Sequence, residues 1–177
     1  MKYIFLVVLL SCSTLLNAQT KDLHLKNALV IGQLDKSEDR YSIEIALTEI
    51  LSDFGVKSLP SLNILKVGAD VYHLESDSIQ NIVKSKGIDT YLTVSVRGYD
   101  KRFKLAENRD DFKTAINVNH LFTLFKDEVI SVSFEFTFYR EGKFVATDIV
   151  RCGNVDSRES VLKRFNKKVA KRVKKWL

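Results

Sequence analysis

Residues 129–150, VISVSFEFTFYREGKFVATDIV, have the clearest strand pattern in the chain. Apolar residues occupy every second position in its first half, which is the period of a strand with one buried face. Those apolar residues are Ile130, Val132, Phe134, Phe136 and Phe138. The Glu141-Gly142 pair predicts a tight turn, after which residues 144–151 return as the partner strand. The sequence therefore predicts an antiparallel hairpin whose apolar face forms part of the core.

Upstream of this hairpin, strand patterns alternate with helix patterns. The apolar run 28–32 predicts a buried strand, and apolar residues at helical spacing across 43–54 predict a helix that ends before Gly55. Residues 56–65 have an extended pattern that Pro60 interrupts, which favours an edge strand or two short pieces.

A second helix and a third strand follow. The sequence Asp77-Ser78-Ile79-Gln80 predicts a capping box at the start of a helix over 78–86. Residues 90–97 alternate with a period of two, as in a half-buried strand. Two strand and helix pairs therefore precede the third strand.

The chain ends in the pattern of an amphipathic helix over 157–177. Asp156, with Glu159 three residues later, predicts its start, and an apolar stripe continues to Trp176. Between the third strand and the hairpin, residues 98–128 form a long loop in which a short helix near Phe112 is allowed. Long loops are often functional, but we favour a poorly packed surface insertion.

These elements together predict one α/β domain over residues 19–177. Its order is strand, helix, strand, helix, strand, long loop, strand, strand, helix. We expect a mixed sheet of about five strands with amphipathic helices packed on it.

Residues 1–18 have the order of a secretory signal peptide. Lys2 is followed by an uncharged apolar run, and Ala18 is a small residue placed before the polar Gln19. Polar residues interrupt the run, so it falls short of the roughly 20 apolar residues of a membrane span. We expect cleavage after Ala18 and a periplasmic or secreted domain.

The same segment allows a second interpretation. Leu9-Leu10-Ser11-Cys12 resembles a bacterial lipobox, in which the cysteine becomes the lipidated first residue. Leu10 fits that motif poorly, so we favour cleavage near Ala18. Lipidation at Cys12 would instead anchor the domain to a membrane.

The positive charge is concentrated at one end of the chain. There are 28 lysines and arginines against 22 acidic residues, but Lys2 lies in the signal segment and eight more lie between Lys163 and Lys175. The rest of the chain is slightly acidic. Because a nucleic-acid-binding domain spreads its positive charge over a folded face, we expect no nucleic acid partner.

The sequence contains no recognisable motif for catalysis, for a cofactor or for a metal. His24, His73 and His120 have no second ligand at helical or hairpin spacing. The glycines form no phosphate-binding loop, and Cys152 has no neighbouring histidine. We therefore predict no catalytic, cofactor-binding or metal-binding residues, and we expect Cys152 to be a buried thiol.

The predicted last helix carries basic residues that are candidates for binding an anionic surface such as phospholipid head groups. The alternative, which we favour, is a docked helix with a solvated basic face, because the apolar stripe is wide enough to be covered by the sheet. Arg172 lies on the apolar side, and we expect its head group to extend past Trp176 to solvent. The candidates are Lys163, Arg164, Lys167, Lys168, Lys171, Arg172, Lys174 and Lys175.

Three short motifs carry a resemblance to a known kind of domain. They are Leu51-Ser52-Asp53-Phe54-Gly55, Lys86-Gly87-Ile88-Asp89 and Glu141-Gly142-Lys143. With the order of elements, they resemble the small α/β domain of the Tol-system translocation protein amino terminus and the curli-secretion lipoprotein family. The resemblance implies an exported domain that works through protein contacts. The chain lacks a propeller domain and pore-forming hairpins, so neither Tol function nor secretion follows.

We therefore predict an exported bacterial envelope protein that acts by binding or assembly, with an envelope protein as its partner, rather than an enzyme. The loop 98–128 or the basic helix would make the contacts. Two alternatives stay open. One is a hydrolase whose site assembles only in three dimensions, from carboxylates and His120. The other is attachment to an anionic membrane surface through the basic helix.

Overall fold

The computed structural model describes residues 23–65, 71–104, 110–117 and 121–177. The predicted signal peptide, with its alternative cleavage sites at Cys12 and Ala18, lies outside these residues. His120 lies outside them too.

Five strands form one mixed sheet within the described residues. Numbered along the chain, they are β1 (Asn27–Gln33), β2 (Lys57–Pro60), β3 (Thr90–Tyr99), β4 (Ser131–Arg140) and β5 (Lys143–Gly153). The spatial order is β2-β1-β3-β4-β5. The strand β1 is parallel to β2 and β3, whereas β4 is antiparallel to both β3 and β5. Consequently β2 and β5 are the edge strands.

Four α-helices accompany the sheet in the same part of the chain. They are α1 (Ser37–Asp53), α2 (Asp77–Ser85), α3 (Phe112–Ile116) and α4 (Arg158–Val173). Short 3₁₀ helices span Ser61–Asn63 and Val71–Glu75. The predicted α/β fold with a five-stranded mixed sheet is confirmed.

The hairpin of β4 and β5 has the predicted two-residue turn. Arg140 pairs with Lys143, and both turn residues have positive φ, 51° at Glu141 and 75° at Gly142. Such a turn has the twist that matches antiparallel strands. The prediction that Ile130 belongs to the buried face was wrong: it precedes β4 and is 66% exposed.

The larger part of the core lies between the sheet and the helices α1 and α4. Phe165 of α4 packs edge-on against Phe134, with ring centroids 4.9 Å apart. Trp176 contacts Phe136 and Phe138 at 5.1 and 5.2 Å. These five aromatic side chains are fully buried, and they pack α4 and the residue Trp176 that follows it against β4.

A smaller cluster lies on the opposite face of the sheet. Leu29 and Ile31 of β1 and Tyr91 of β3 pack there with Val83 of α2 and Phe112 of α3. The first strand is therefore buried on both faces, as its continuous apolar run predicts.

The helix starts differ from the predicted ones by one residue. Ser76, not Asp77, precedes α2, and its side chain makes no capping bond. The helix α4 starts with a capping box of Ser157 and Ser160, in which each hydroxyl accepts a hydrogen bond from the other residue's backbone N–H. A serine hydroxyl thus takes the role that we assigned to the Asp156 carboxylate.

The segment around Pro60 is only partly extended. The strand β2 ends at Pro60 and is followed at once by the 3₁₀ helix that starts at Ser61. The prediction of an edge strand is confirmed, although the strand is shorter than residues 56–65.

Candidate functional site

The described histidines lie apart from any catalytic arrangement. His24 is exposed, with its Nδ1 atom 3.2 Å from the carbonyl oxygen of Leu177. His73 is exposed beside the ring of Tyr72, at a centroid distance of 4.2 Å. In the described ranges, no three His, Cys, Asp or Glu side chains are arranged to hold a metal ion. Since His120 lies outside these ranges, the structure provides no distances that bear on the hydrolase alternative.

Glu44 is a fully buried carboxylate held by structural partners. It accepts hydrogen bonds from Arg40 Nε at 3.0 Å, from Ser61 Oγ at 2.7 Å and from the backbone N–H groups of Gly32 and Leu62 at 2.8 and 3.2 Å. A Cβ at Gly32 would lie 3.0 Å from Arg40 Cγ, so the strand approaches α1 closely. The carboxylate ties α1 to β1 and to the segment after β2.

A second buried carboxylate, Asp39, joins the two large helices. Its Oδ1 atom lies 2.6 Å from Arg158 Nε of α4, and its Oδ2 atom accepts from the N–H of Leu124 at 3.4 Å. Arg158 also donates to the hydroxyl of Ser42 at 2.8 Å. This carboxylate, too, has a structural role.

Cys152 is buried on the face of β5 that contacts α4, as predicted. Loss of hydration raises the pKa of its thiol to about 12, although the nearby charges of Lys168 and Arg164 act to lower that pKa. The thiol is therefore protonated at neutral pH and is a poor nucleophile.

A groove runs along the free edge of β5. One part, with a volume of about 370 Å³, is lined on one side by Arg102, Ser133 and Arg151 and on the other by Asp148 and Arg172. Phe103 and Ile149 complete its lining. Because residues 148 and 151 point to opposite faces of β5, this part reaches across the edge of the strand. An adjoining part of about 300 Å³ shares Ile149, Arg151 and Arg172 and adds three lysines. The three are Lys168, Lys171 and Lys175 of the C-terminal segment. We call the two parts together the β5-edge groove.

Most positive charges of this groove have no carboxylate partner in the described part of the chain. Of its six basic residues, only Arg172 forms an ion pair there. The Arg151 guanidinium donates two hydrogen bonds to the neutral hydroxyl of Ser131, at 3.1 and 2.8 Å. The groove therefore has a strongly positive potential. The five others are Arg102, Arg151, Lys168, Lys171 and Lys175.

The middle of the β5 edge is occupied by the pair Asp148 and Arg172. Two nitrogens of Arg172 lie 2.6 Å from the Asp148 carboxylate, which also accepts from Trp176 Nε1 at 2.9 Å. The same carboxylate accepts from the N–H of Ile149 at 2.8 Å, and Arg172 contacts the carbonyl oxygen of Ile149 at 3.5 Å. Arg172 thus does not extend past Trp176 to solvent as we expected. Because α4 packs beside β5, its head group reaches a buried carboxylate instead.

The basic residues predicted on the last helix separate into two sets. Lys168, Lys171, Arg172 and Lys175 line the β5-edge groove, and Arg164 is close enough to Cys152 to affect its pKa. At about 100° per residue, the other three lie on the side of α4 opposite the buried Phe165. We call these three the outer-face lysines: Lys163, Lys167 and Lys174.

Sequence reasoning missed Arg151 and Arg102 as members of the site. One signal was present, since alternation along β5 places Arg151 opposite the apolar Val150 and Cys152. What the alternation does not show is that β5 is an edge strand. Arg102 belongs to the long loop, whose path along the sheet has no sequence pattern.

No family of known proteins matches the chain, and no curated protein does. Solved structures that are similar to it at low identity include the following three. A substituted variant of the PelC dodecamer from Paraburkholderia phytofirmans is 15% identical, with 85% of this chain and 86% of that chain covered and a TM-score of 0.45. The PelC dodecamer in another space group is 13% identical, with 86% and 88% covered and a TM-score of 0.44. Lipoprotein GNA1162 from Neisseria meningitidis is 13% identical, with 84% and 97% covered and a TM-score of 0.45.

These similarities carry no argument about activity or partners. Because no family matches, the resemblance to the Tol and curli-secretion proteins stays a prediction. In the described ranges, no helix is long and apolar enough to cross a bilayer.

Proposed function

We propose that the chain is an exported protein of the bacterial envelope that acts by binding, and that the β5-edge groove is its contact surface for an acidic partner. The observation that carries this proposal is a set of five basic side chains around one groove, none of which has a carboxylate partner among the residues that the structure describes. Export is supported by the signal-peptide pattern of residues 1–18.

The charge of the groove favours an anionic partner of moderate affinity. The basic side chains of the groove repel one another, and carboxylates of a partner placed among them offset that repulsion. A partly exposed ion pair contributes about 0.2–1 kcal/mol, so five of them contribute about 1–5 kcal/mol. Such binding is sensitive to salt, because exposed charges are screened over about 10 Å at 0.1 M ionic strength.

The ionisable groups of the groove support binding rather than chemistry. Within its described lining, Asp148 is the one carboxylate, and both of its oxygens accept hydrogen bonds. A carboxylate held by four donors is poorly placed to exchange a proton with a substrate. The arginines and lysines can hold an anion, which is the property that a binding surface needs.

Attachment to a membrane would use a different surface. The outer-face lysines form the convex side of α4, which can lie on a flat layer of head groups. On that helix the remaining apolar residues Leu162 and Ala170 are already half-buried against the core. Attachment would then depend on charge alone, at about 1 kcal/mol per basic residue.

Binding of an octaglutamate peptide distinguishes the two surfaces. We expect the groove variant Arg151→Gln/Lys168→Gln/Lys171→Gln to bind the peptide at least about tenfold more weakly than the wild type, because three ion pairs are lost. The matched control Lys163→Gln/Lys167→Gln/Lys174→Gln removes the same charge from the outer face and should change the affinity less than about threefold. Calorimetric titration in about 50 mM salt measures both, and thermal unfolding verifies that both variants fold.

Two results would contradict the proposed surface. Equal weakening by both variants would mean that only net charge matters, and no weakening by the groove variant would place the peptide elsewhere. Binding to vesicles of anionic phospholipid that the outer-face variant alone abolishes would support membrane attachment instead.

The identity of the first residue of the mature protein tests whether the protein is exported. We expect mass spectrometry of the protein from bacterial cells to find Gln19 as the first residue. A mature protein that begins with a lipidated Cys12 would be anchored to a membrane and would still be an exported protein. A chain that retains Met1 and fractionates with the cytoplasm would contradict export.

A further inference from the structure

We infer that the β5-edge groove binds an extended acidic polypeptide segment, which adds to the sheet as a strand beside the carboxyl-terminal end of β5. This inference rests on the proposed binding function and specifies the conformation of the partner. Three features of the described residues support it: an open strand edge, the orientation of its backbone groups, and basic side chains on both of its flanks.

The strand β5 has a neighbour on one side only, which is β4. In an antiparallel sheet, every second residue of an edge strand directs its N–H and C=O groups away from the neighbour. Ile149 is one of these residues, because its N–H and C=O groups contact Asp148 and Arg172 rather than β4. The register is regular from there to the end of the strand, so Arg151 and Gly153 direct their groups outward as well.

The pair Asp148 and Arg172 divides this edge into a closed part and an open part. At Ile149 the outward groups already have partners. No comparable contact occupies the backbone of Arg151 or Gly153 among the described residues. A partner strand, which lies about 4.8 Å from its neighbour, can therefore pair with the chain beyond Ile149.

The flanks of the open part determine what kind of strand fits. Side chains of an added strand point alternately to its two faces. On one face they meet Arg102 and Arg151, and on the other they meet Lys168 and Lys171. Acidic side chains are thus favoured at consecutive positions of the added strand, because the side chains on both of its faces meet basic residues.

The same charges argue against other occupants of the groove. A second copy of this chain would bring an equally basic β5 edge and would be repelled. A layer of lipid head groups is flat, and it would meet the convex outer face of α4 before it reached the strand edge. An extended acidic segment of another protein satisfies both the backbone and the side chains.

Two methylated peptides test the strand pairing. Octaglutamate with every backbone nitrogen methylated keeps its charge and loses all N–H donors. Octaglutamate methylated at every second nitrogen keeps one edge of donors, which is all that a strand on one side needs. We expect the half-methylated peptide to bind within about threefold of the parent and the fully methylated one at least about tenfold more weakly. Bound peptide should also slow amide hydrogen exchange at Arg151 and Gly153.

The outcomes separate this inference from the function on which it rests. Equal affinity of both methylated peptides, with unchanged exchange at Arg151 and Gly153, would overturn strand addition and leave a groove that holds carboxylates through side chains alone. An octaglutamate affinity that is the same for the wild type and the groove variant would overturn the proposed function itself.

Discussion

Replacing Glu44 with alanine is expected to lower the free energy of unfolding by about 4 kcal/mol. The substitution removes the acceptor of Arg40 Nε, of the Ser61 hydroxyl and of the N–H groups of Gly32 and Leu62. Arg40 Nη2 keeps its hydrogen bond to Ser61 Oγ. Removing one member of a buried charge pair typically costs about 3–5 kcal/mol, because the other member loses the opposite charge that offsets its burial. Urea unfolding followed by circular dichroism measures the change.

Glu49 provides the matched control for Glu44. It lies on the exposed side of the same helix, so Glu49→Ala should change the free energy of unfolding by less than about 0.5 kcal/mol. Glu44→Gln keeps one oxygen acceptor and should fall between the two alanine variants. A loss below about 1 kcal/mol for Glu44→Ala would contradict the role of this carboxylate as the link between α1, β1 and the segment after β2.

Replacing Asp148 with alanine should lower the free energy of unfolding by about 3 kcal/mol. Trp176 is fully buried, and its Nε1–H would lose its acceptor, as would Arg172 and the N–H of Ile149. A buried donor without a partner costs about 1–3 kcal/mol, and the half-exposed Arg172 recovers part of its loss from water. For a domain of this size, that change lowers Tm by roughly 6–12 °C.

Two further variants show whether Asp148 acts through these bonds. Lys171→Ala, at an exposed position of the same groove, should change Tm by no more than about 2 °C. Asp148→Asn keeps an acceptor for Trp176 and should cost less than Asp148→Ala. An alanine variant as stable as the wild type would show that the aromatic contacts of Trp176 alone hold the end of α4.

The hairpin shows how much of this fold the sequence predicts. Alternation assigns Phe134, Phe136 and Phe138 to one buried face, and Glu141-Gly142 locates the turn, because both signals are local. Ile130 continues the same alternation and is exposed, since it lies before the first residue of β4. A local pattern defines the face of a strand but not where pairing begins.

The order of strands in the sheet has no local signal. That β3 pairs with both β1 and β4 depends on contacts between residues far apart in sequence. The edge position of β5 follows from that order, and with it the openness of the groove. The capping box of Ser157 and Ser160 has a local signal in the sequence. Asp156 and Glu159 have the same spacing and match the capping-box pattern equally well.

Only part of the candidate site could be predicted, because some of its contacts join residues that are far apart in sequence. The basic residues of the last helix were recognised by composition and spacing. Arg151 was not, because its place beside Lys168 depends on how α4 packs against β5. The pairing of Asp148 with Arg172 likewise joins residues on two elements, and helical periodicity alone placed Arg172 on the apolar side without a partner.

Amide chemical-shift mapping of octaglutamate on the chain from Gln19 shows whether the β5-edge groove holds an acidic partner. We predict that the largest shifts lie at residues 149–153 and at Lys168, Lys171 and Lys175, and that they diminish as salt is raised from about 50 to 200 mM. Largest shifts at Lys163, Lys167 and Lys174, with residues 149–153 unaffected, would contradict the claim and assign anion binding to the outer face of α4.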